Sequence, residues 1–305
     1  MQLLYALQEI RVPALDTVMR LITRLGEETI FMVLAIAIYW CVSKKGGYYL
    51  LSVGFFGALA NQFLKITFRI PRPWVLDPDF QIVESAREAA AGYSFPSGHT
   101  QSAVGTFGGI ARMTQEKWLR WTCIALAMLV SFSRLYLGVH TPLDVGVSLL
   151  IGTVLVLVLW PIMDSADEKP GRMAAVLLAM VLCSGAFLAF MLTHNFPADV
   201  DADNLSHAVS SAWKFMGAIL GMLVAWWVEH RYIRFDPEAA WWVQLIKIVL
   251  GLGIVVVIKS GLKAPLIALI GNEGIANAVR YGLMVLFAGG VWPLTFRFWS
   301  KLGKK

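Results

Sequence analysis

Three short segments of this chain carry residues whose types and spacing suit the binding of an oxyanion and an attack upon it. The first is Lys65-x6-Arg72-Pro73. Continued as a helix, it would stack Lys65, Arg69 and Arg72 at i, i+4 and i+7 on one face until Pro71 and Pro73 stop it. Basic residues in apolar surroundings are costly, so they either line a polar cavity or snorkel to the interface. Arginine brings a planar fork of donors that matches an oxyanion, and lysine a mobile point charge.

The second segment, Tyr93-Ser94-Phe95-Pro96-Ser97-Gly98-His99-Thr100, reads as a turn opening onto a helix. Free N–H groups at a helix start attract anions, Gly98 lets backbone approach closely, and the Ser97 hydroxyl adds a donor. Ser97 would equally serve as a plain N-cap and His99 as an interfacial histidine. In the third segment, Ser133-Arg134 is followed by His140 and then by Thr141-Pro142-Leu143-Asp144. Thr141 as N-cap, Pro142 at the first helical position and Asp144 in a capping arrangement make a good helix start. Capping does not account for a second histidine and a further arginine on the same predicted membrane face as Lys65, Arg72 and His99.

Those residues must be positioned by membrane-spanning helices. Of 305 residues, 58% are hydrophobic and only 15% charged, and the mean hydropathy is +0.65. Apolar stretches recur along the whole chain, many near the roughly 20 residues that cross about 30 Å of hydrocarbon. The expected fold is all-α, a polytopic transmembrane helix bundle of about nine spans, near 29–43, 47–68, 99–114, 119–136, 143–163, 173–193, 209–229, 240–261 and 275–298. Met1 to Glu28 is amphipathic, lacks a signal-peptide pattern and reads as an interfacial segment. Trp40, Trp74, Trp241, Trp242 and Trp299 near span ends read as an interfacial aromatic belt.

The net charge of +6 is scattered between apolar segments, which excludes a nucleic-acid stripe and favours membrane lipids as partners. Lys44, Lys45, Arg112, Lys117, Arg120, Lys169, Arg172, Arg231, Arg234, Arg297, Lys301, Lys304 and Lys305 fall on one side, expected to be cytoplasmic. The three chemical segments then face outward. The polar run through Asp164, Asp167, Glu168, Lys169, Pro170 and Gly171 divides the chain into a front part, 1–163, and a rear part, 164–305. The front part carries all the unusual residues, and the rear holds additional spans of no assigned role. Asp199, Asp201 and Asp203 begin like a calcium loop, but Ser210 stands where a bidentate Glu is needed, so they read as a solvated acidic loop.

Taken together, Lys65-x6-Arg72-Pro73, Pro96-Ser97-Gly98-His99 and Ser133-Arg134-x5-His140-x3-Asp144 resemble the type 2 phosphatidic-acid phosphatase superfamily, which includes glucose-6-phosphatase and the vanadium haloperoxidases. All three motifs match in order, over roughly Leu15 to Leu159. The resemblance implies that His140 attacks phosphorus, that Asp144 orients it, and that His99 protonates the leaving group and later activates water. It also implies that Lys65, Arg72, Ser97, Gly98 and Arg134 hold the phosphoryl oxygens, with neither metal nor cofactor. The implied activity is hydrolysis of a lipid phosphate monoester or diphosphate at the external face, with polyprenyl diphosphate the first candidate substrate. Transfer of the phosphoryl group to an acceptor lipid, and a non-enzymatic lipid transporter or scramblase, are the alternatives. The compact polytopic layout points to a bacterial inner membrane with the site on its periplasmic or extracellular side.

Overall fold

The structure is a computed structural model that describes residues 1–166 and 168–299. Asp167 of the polar run and Lys301, Lys304 and Lys305 of the final basic stretch lie outside the described residues. The principal helices are α1 (Gln2–Glu9), α2 (Pro13–Arg24), α3 (Glu28–Cys41), α4 (Lys44–Phe68), α5 (Pro73–Leu76), α6 (Gly98–Ala103) and α7 (Gly109–Met113). They continue with α8 (Lys117–Tyr136), α9 (Pro142–Asp164), α10 (Pro170–Thr193), α11 (Ala202–Val228), α12 (Trp241–Gly261), α13 (Lys263–Ile270) and α14 (Glu273–Leu286). No strand occurs among the described residues, so the all-α expectation holds.

Among the described residues, seven helical stretches are long and apolar enough to cross a membrane, and the chain is an integral membrane protein. The remaining two of the nine expected spans are helical but fall short. Helix α3 has 14 residues, and residues 98–113 are α6, a π-helical turn at Val104–Gly108 and α7 in succession.

The chain divides into two compact units. The first comprises Met1–Leu34, Tyr49–Pro161 and Asp199–Asn204, and it contains all three chemical segments. One of its cores joins Ala103, Val104 and Phe107 to Cys123, Ala127 and Val130 of α8, with Ile22 and Leu25 packed alongside. Another joins Met19 of α2 to Val83, Ala86 and Ala90 of the following loop region and to Tyr136, Leu137 and Val139. Each large apolar side chain so buried contributes about 1.5–3 kcal/mol. The segments bearing chemistry are thus fixed by apolar packing on their flanks.

Two helix ends set the site. Helix α4 stops at Phe68, and Arg69 adopts the left-handed region at φ 51°. Pro71 disfavours helical backbone at Ile70, whose carbonyl instead accepts from the Ser94 N–H at 2.8 Å. The continuous helical face expected for Lys65, Arg69 and Arg72 therefore does not form. Arg69 turns away to Asp199, 3.4 Å distant, and Asp201 caps α11 by accepting from the Asn204 N–H at 2.8 Å.

Helix α8 ends in a Schellman turn. The Val139 N–H returns to the Arg134 carbonyl at 3.2 Å and the Gly138 N–H to the Leu135 carbonyl at 3.0 Å. Gly138 takes φ 78°, and a Cβ there would meet the Phe80 ring at 3.0 Å, so glycine is required twice over. The turn hands the chain from Arg134 to His140 within six residues.

The second unit comprises Ala35–Tyr48, Ile162–Ala198 and Leu205–Lys305. Helices α11 and α14 approach backbone to backbone there: a Cβ on Gly217 would lie 1.9 Å from the Ala278 carbonyl oxygen, and one on Gly221 2.4 Å from that of Gly282. Small residues four apart allow such contact between helices in lipid. Trp40, expected in the aromatic belt, is instead fully buried in this unit, and its indole N–H donates to the Ala288 carbonyl at 2.8 Å. Trp241 is strongly exposed, as a belt residue would be.

Gly217→Leu should therefore lower stability in detergent by about 1–3 kcal/mol or more, the usual cost of overpacking. Gly253→Leu, where nothing lies within 4 Å of a Cβ, should leave it near the wild-type value. Equal melting temperatures for the two variants would contradict this packing.

Candidate active site

Arg72, just beyond the end of α4, is buried and makes contacts in four directions. Its Nε donates to the Gly92 carbonyl at 2.9 Å, Nη2 to Ala91 at 3.0 Å, and Nη1 to Val139 at 2.9 Å. Nη1 also lies 2.9 Å from His140 Nε2. Guanidinium nitrogens only donate, so Nε2 is the acceptor and carries the lone pair. The ring proton then sits on Nδ1, which is 3.4 Å from Asp144 Oδ2.

Asp144 is held in turn. Its Oδ2 accepts from the Ser94 hydroxyl at 2.5 Å and from the Thr141 N–H at 2.7 Å, while the Asp144 N–H reaches Thr141 Oγ1 at 3.3 Å. The capping box read from the sequence exists, and the same carboxylate oxygen faces the imidazole. His140 is 1% exposed. Burial first, then the positive charges of Arg72, Arg134, Lys65 and His99, hold its pKa well below the ordinary histidine value. At neutral pH the ring is uncharged.

The other expected residues surround this pair. Lys65 Nζ donates to the Tyr93 carbonyl at 2.6 Å. Arg134, in the last turn of α8, is 1% exposed and its Nη1 donates to Thr23 Oγ1 at 2.7 Å. Ser97 caps α6, its Oγ accepting from the Thr100 N–H at 3.4 Å, and its own N–H reaches the Asp144 carbonyl at 3.2 Å. A Cβ on Gly98 would have no neighbour closer than Asn61 Oδ1 at 3.9 Å, so its backbone borders open space. His99 is half-buried, and its imidazole makes no hydrogen bond to another described residue.

Three cations thus stand against one carboxylate around His140. Low local dielectric strengthens that surplus positive charge, and a phosphate dianion is of the right size and sign to answer it. Beside Arg72 opens a cleft of about 760 Å³, walled by Phe68, Trp74, Val75, Arg87 and Tyr93. Among the described residues no cluster of three or more His, Cys, Asp or Glu has the makings of a metal site.

Three contributors escaped the sequence reading. Ser94 was visible as a hydroxyl in the second segment, but nothing in its spacing pointed to Asp144. Thr23 lies in the amphipathic α2, and nothing in its sequence context pointed to Arg134; the structure shows its hydroxyl buried against that side chain. Asn61, a polar residue inside α4, donates from Nδ2 to the Pro96 carbonyl at 3.3 Å.

Comparison with known proteins bears out the family resemblance. Residues 45–168 match the PAP2 superfamily, and residues 213–305 match the PAP2 superfamily phosphatase transmembrane extension. The chain belongs to the PAP2 superfamily. It is 29% identical to the undecaprenyl-diphosphatase of Bacillus subtilis over 37% of this chain and 55% of that protein. It is 23% identical to mouse sphingosine-1-phosphate phosphatase 2 over 68% of this chain and 57% of the relative. A shorter match, 46% identical over 20% of this chain and 29% of the relative, is to an undecaprenyl-diphosphatase of Sulfolobus acidocaldarius. The chain therefore spans little more than half the length of the first two relatives. No solved structure matches it. Of the rear spans, which carry no motif legible to the eye, those from residue 213 onward match a recognised extension of the same superfamily, while α10 lies outside both matches.

If the cation cluster is an oxyanion site, Arg72→Met should weaken orthovanadate binding to the detergent-solubilised protein about 10- to 100-fold, the worth of a charge-assisted hydrogen bond. Isothermal titration reads this directly, and unchanged affinity would contradict the assignment.

Proposed function

We propose that this protein hydrolyses a lipid phosphate monoester or diphosphate through a phosphohistidine at His140, without a metal ion. The observation that carries the proposal is the paired geometry of one buried ring: Nε2 with its lone pair toward Arg72, and Nδ1 toward Asp144. A neutral imidazole with its far nitrogen on a carboxylate is a competent nucleophile, because the carboxylate stabilises the cation that forms.

In the first step a non-bridging phosphoryl oxygen takes the Arg72 Nη1–H away from His140 Nε2, and the freed lone pair forms a bond to phosphorus while the bond from phosphorus to the leaving oxygen breaks. Burial and the charges of Arg134, Arg72 and Lys65 keep His99 unprotonated before substrate binds. A bound phosphate dianion offsets those charges, so His99 enters protonated with the substrate and gives that proton to the leaving oxygen, which departs as the lipid alcohol or lipid phosphate. In the second step water attacks phosphorus, His99 takes a water proton, and the N–P bond breaks to release inorganic phosphate and restore neutral His140. Lys65, Arg72, Arg134, Ser97 and the Gly98 N–H hold the three non-bridging oxygens as charge redistributes. These cations supply the charge stabilisation that a metal would otherwise provide.

The relatives named as undecaprenyl-diphosphatases support polyprenyl diphosphate as the first substrate to test. The cleft beside Arg72 supports a substrate larger than inorganic phosphate, since Phe68, Trp74 and Val75 offer apolar walls; its charged lining is mixed, with Arg87 already paired to Glu84 and with Asp199 and Asp201 also present. The basic residues of the opposite loops favour an outward-facing site, periplasmic in a bacterial inner membrane.

Purified protein should release phosphate from one or more of a panel comprising undecaprenyl diphosphate, phosphatidate, lipid A and sphingoid-base phosphate. His140→Ala should abolish that release, and His99→Ala should slow it about 10²- to 10⁴-fold, the usual worth of general acid–base catalysis. Wild-type turnover by folded His140→Ala would overturn the nucleophile. Turnover should also persist in excess EDTA; loss on chelation that magnesium restores would overturn the metal-free mechanism.

A further inference from the structure

We infer that the amino-terminal helix α2 is part of the active site, with Thr23 the residue that positions Arg134 and Gly26 the platform beneath His99. This rests on the phosphatase reading above. The superfamily match begins at residue 45, so α2 lies outside it.

The argument starts from the charge of Arg134. Its guanidinium is 1% exposed, and no carboxylate of a described residue lies within ion-pair distance. The side chain that orients it is Thr23, 6% exposed, whose Oγ1 accepts from Nη1 at 2.7 Å. A neutral acceptor is the informative choice. A carboxylate there would fix the guanidinium and cancel its charge, whereas a hydroxyl fixes it and leaves the full charge for a phosphoryl oxygen. Arg134 Nε is buried with no partner in the protein, consistent with a donor kept for substrate.

Two further contacts bind the same stretch of α8 to the amino-terminal region. The Tyr136 hydroxyl donates to Asp16 Oδ1 at 2.8 Å, and Arg11 Nε donates to the Tyr136 carbonyl at 2.9 Å. At the far end of α2, a Cβ on Gly26 would come 2.8 Å from the His99 carbonyl oxygen, 3.2 Å from His99 Cβ and 2.7 Å from Val130. Only a residue without a side chain lets His99 settle there. Helix α2 and the turn that follows it therefore touch a phosphate-binding arginine through a hydrogen bond from Thr23 and the general acid–base through packing at Gly26.

The test measures kcat, KM, vanadate inhibition and melting temperature for Thr23→Val, Thr23→Ser and Gly26→Ala beside wild type. Thr17→Val, on the exposed face of the same helix, is the control. Thr23→Val should lose about tenfold or more in kcat, as expected for a hydrogen bond to a charged group, and the vanadate inhibition constant should rise in step. Thr23→Ser should restore both, since it returns the hydroxyl alone. Gly26→Ala should lower kcat by displacing His99 while leaving vanadate affinity nearer to wild type. Full activity in Thr23→Val, or a Thr23→Ser variant as impaired as Thr23→Val, overturns the positioning role. Should Thr23→Val not fold, full turnover by Gly26→Ala overturns the proposal. An inactive wild type on every lipid phosphate would instead count against the phosphatase reading.

Discussion

A guanidinium buried in an apolar protein must find acceptors for its N–H groups, and Arg72 finds them on two separate pieces of chain. Its donors reach the carbonyls of Ala91 and Gly92, the carbonyl of Val139 and the Nε2 of His140. Leaving such a charge without partners costs several kcal/mol, so the loop before the second motif and the turn before the third are bound to the end of α4. The same contact settles the state of His140. Because arginine cannot accept, the histidine must, and its proton is sent to the side of Asp144.

Helix termini do most of the remaining positioning, each with two tasks. Ser97 caps α6 while the start of that helix borders open space at Gly98. Asp144 closes a capping box with Thr141 and faces the imidazole with the same oxygen. The Schellman turn of α8 satisfies the Arg134 carbonyl and swings the chain to His140. In the proposed mechanism the structural and chemical readings of these residues are not alternatives. A cap is a rigid, locally determined place from which to hold a reacting group, and it is formed before any substrate arrives.

The legible part of the sequence was its local chemistry. Prolines and capping residues marked where α6 and α9 begin, and hydropathy marked each apolar segment. Arg69 was misjudged because helical periodicity was carried past Phe68, where Pro71 had already denied helical backbone to Ile70. Trp40 was misjudged because a tryptophan near a span end looks the same whether it meets headgroups or a neighbouring helix. Ser94 and Thr23 were illegible for a different reason: a single hydroxyl has no periodicity, and its partners stand 50 and 111 residues away. Gly217 and Gly221 offered a four-residue small-residue spacing that does announce close helix packing, although not the partner helix.

The central claim is that phosphorus passes through a covalent bond to His140, and trapping that bond tests it most directly. Wild-type protein mixed with substrate labelled at the transferred phosphoryl group should, when quenched within a turnover under alkaline denaturing conditions, carry label that is stable to base and labile to acid. Peptide mapping should locate it on His140. Label on another residue, or none during demonstrable turnover together with inversion of configuration at phosphorus, would mean that water attacks directly and that His140 has some other task.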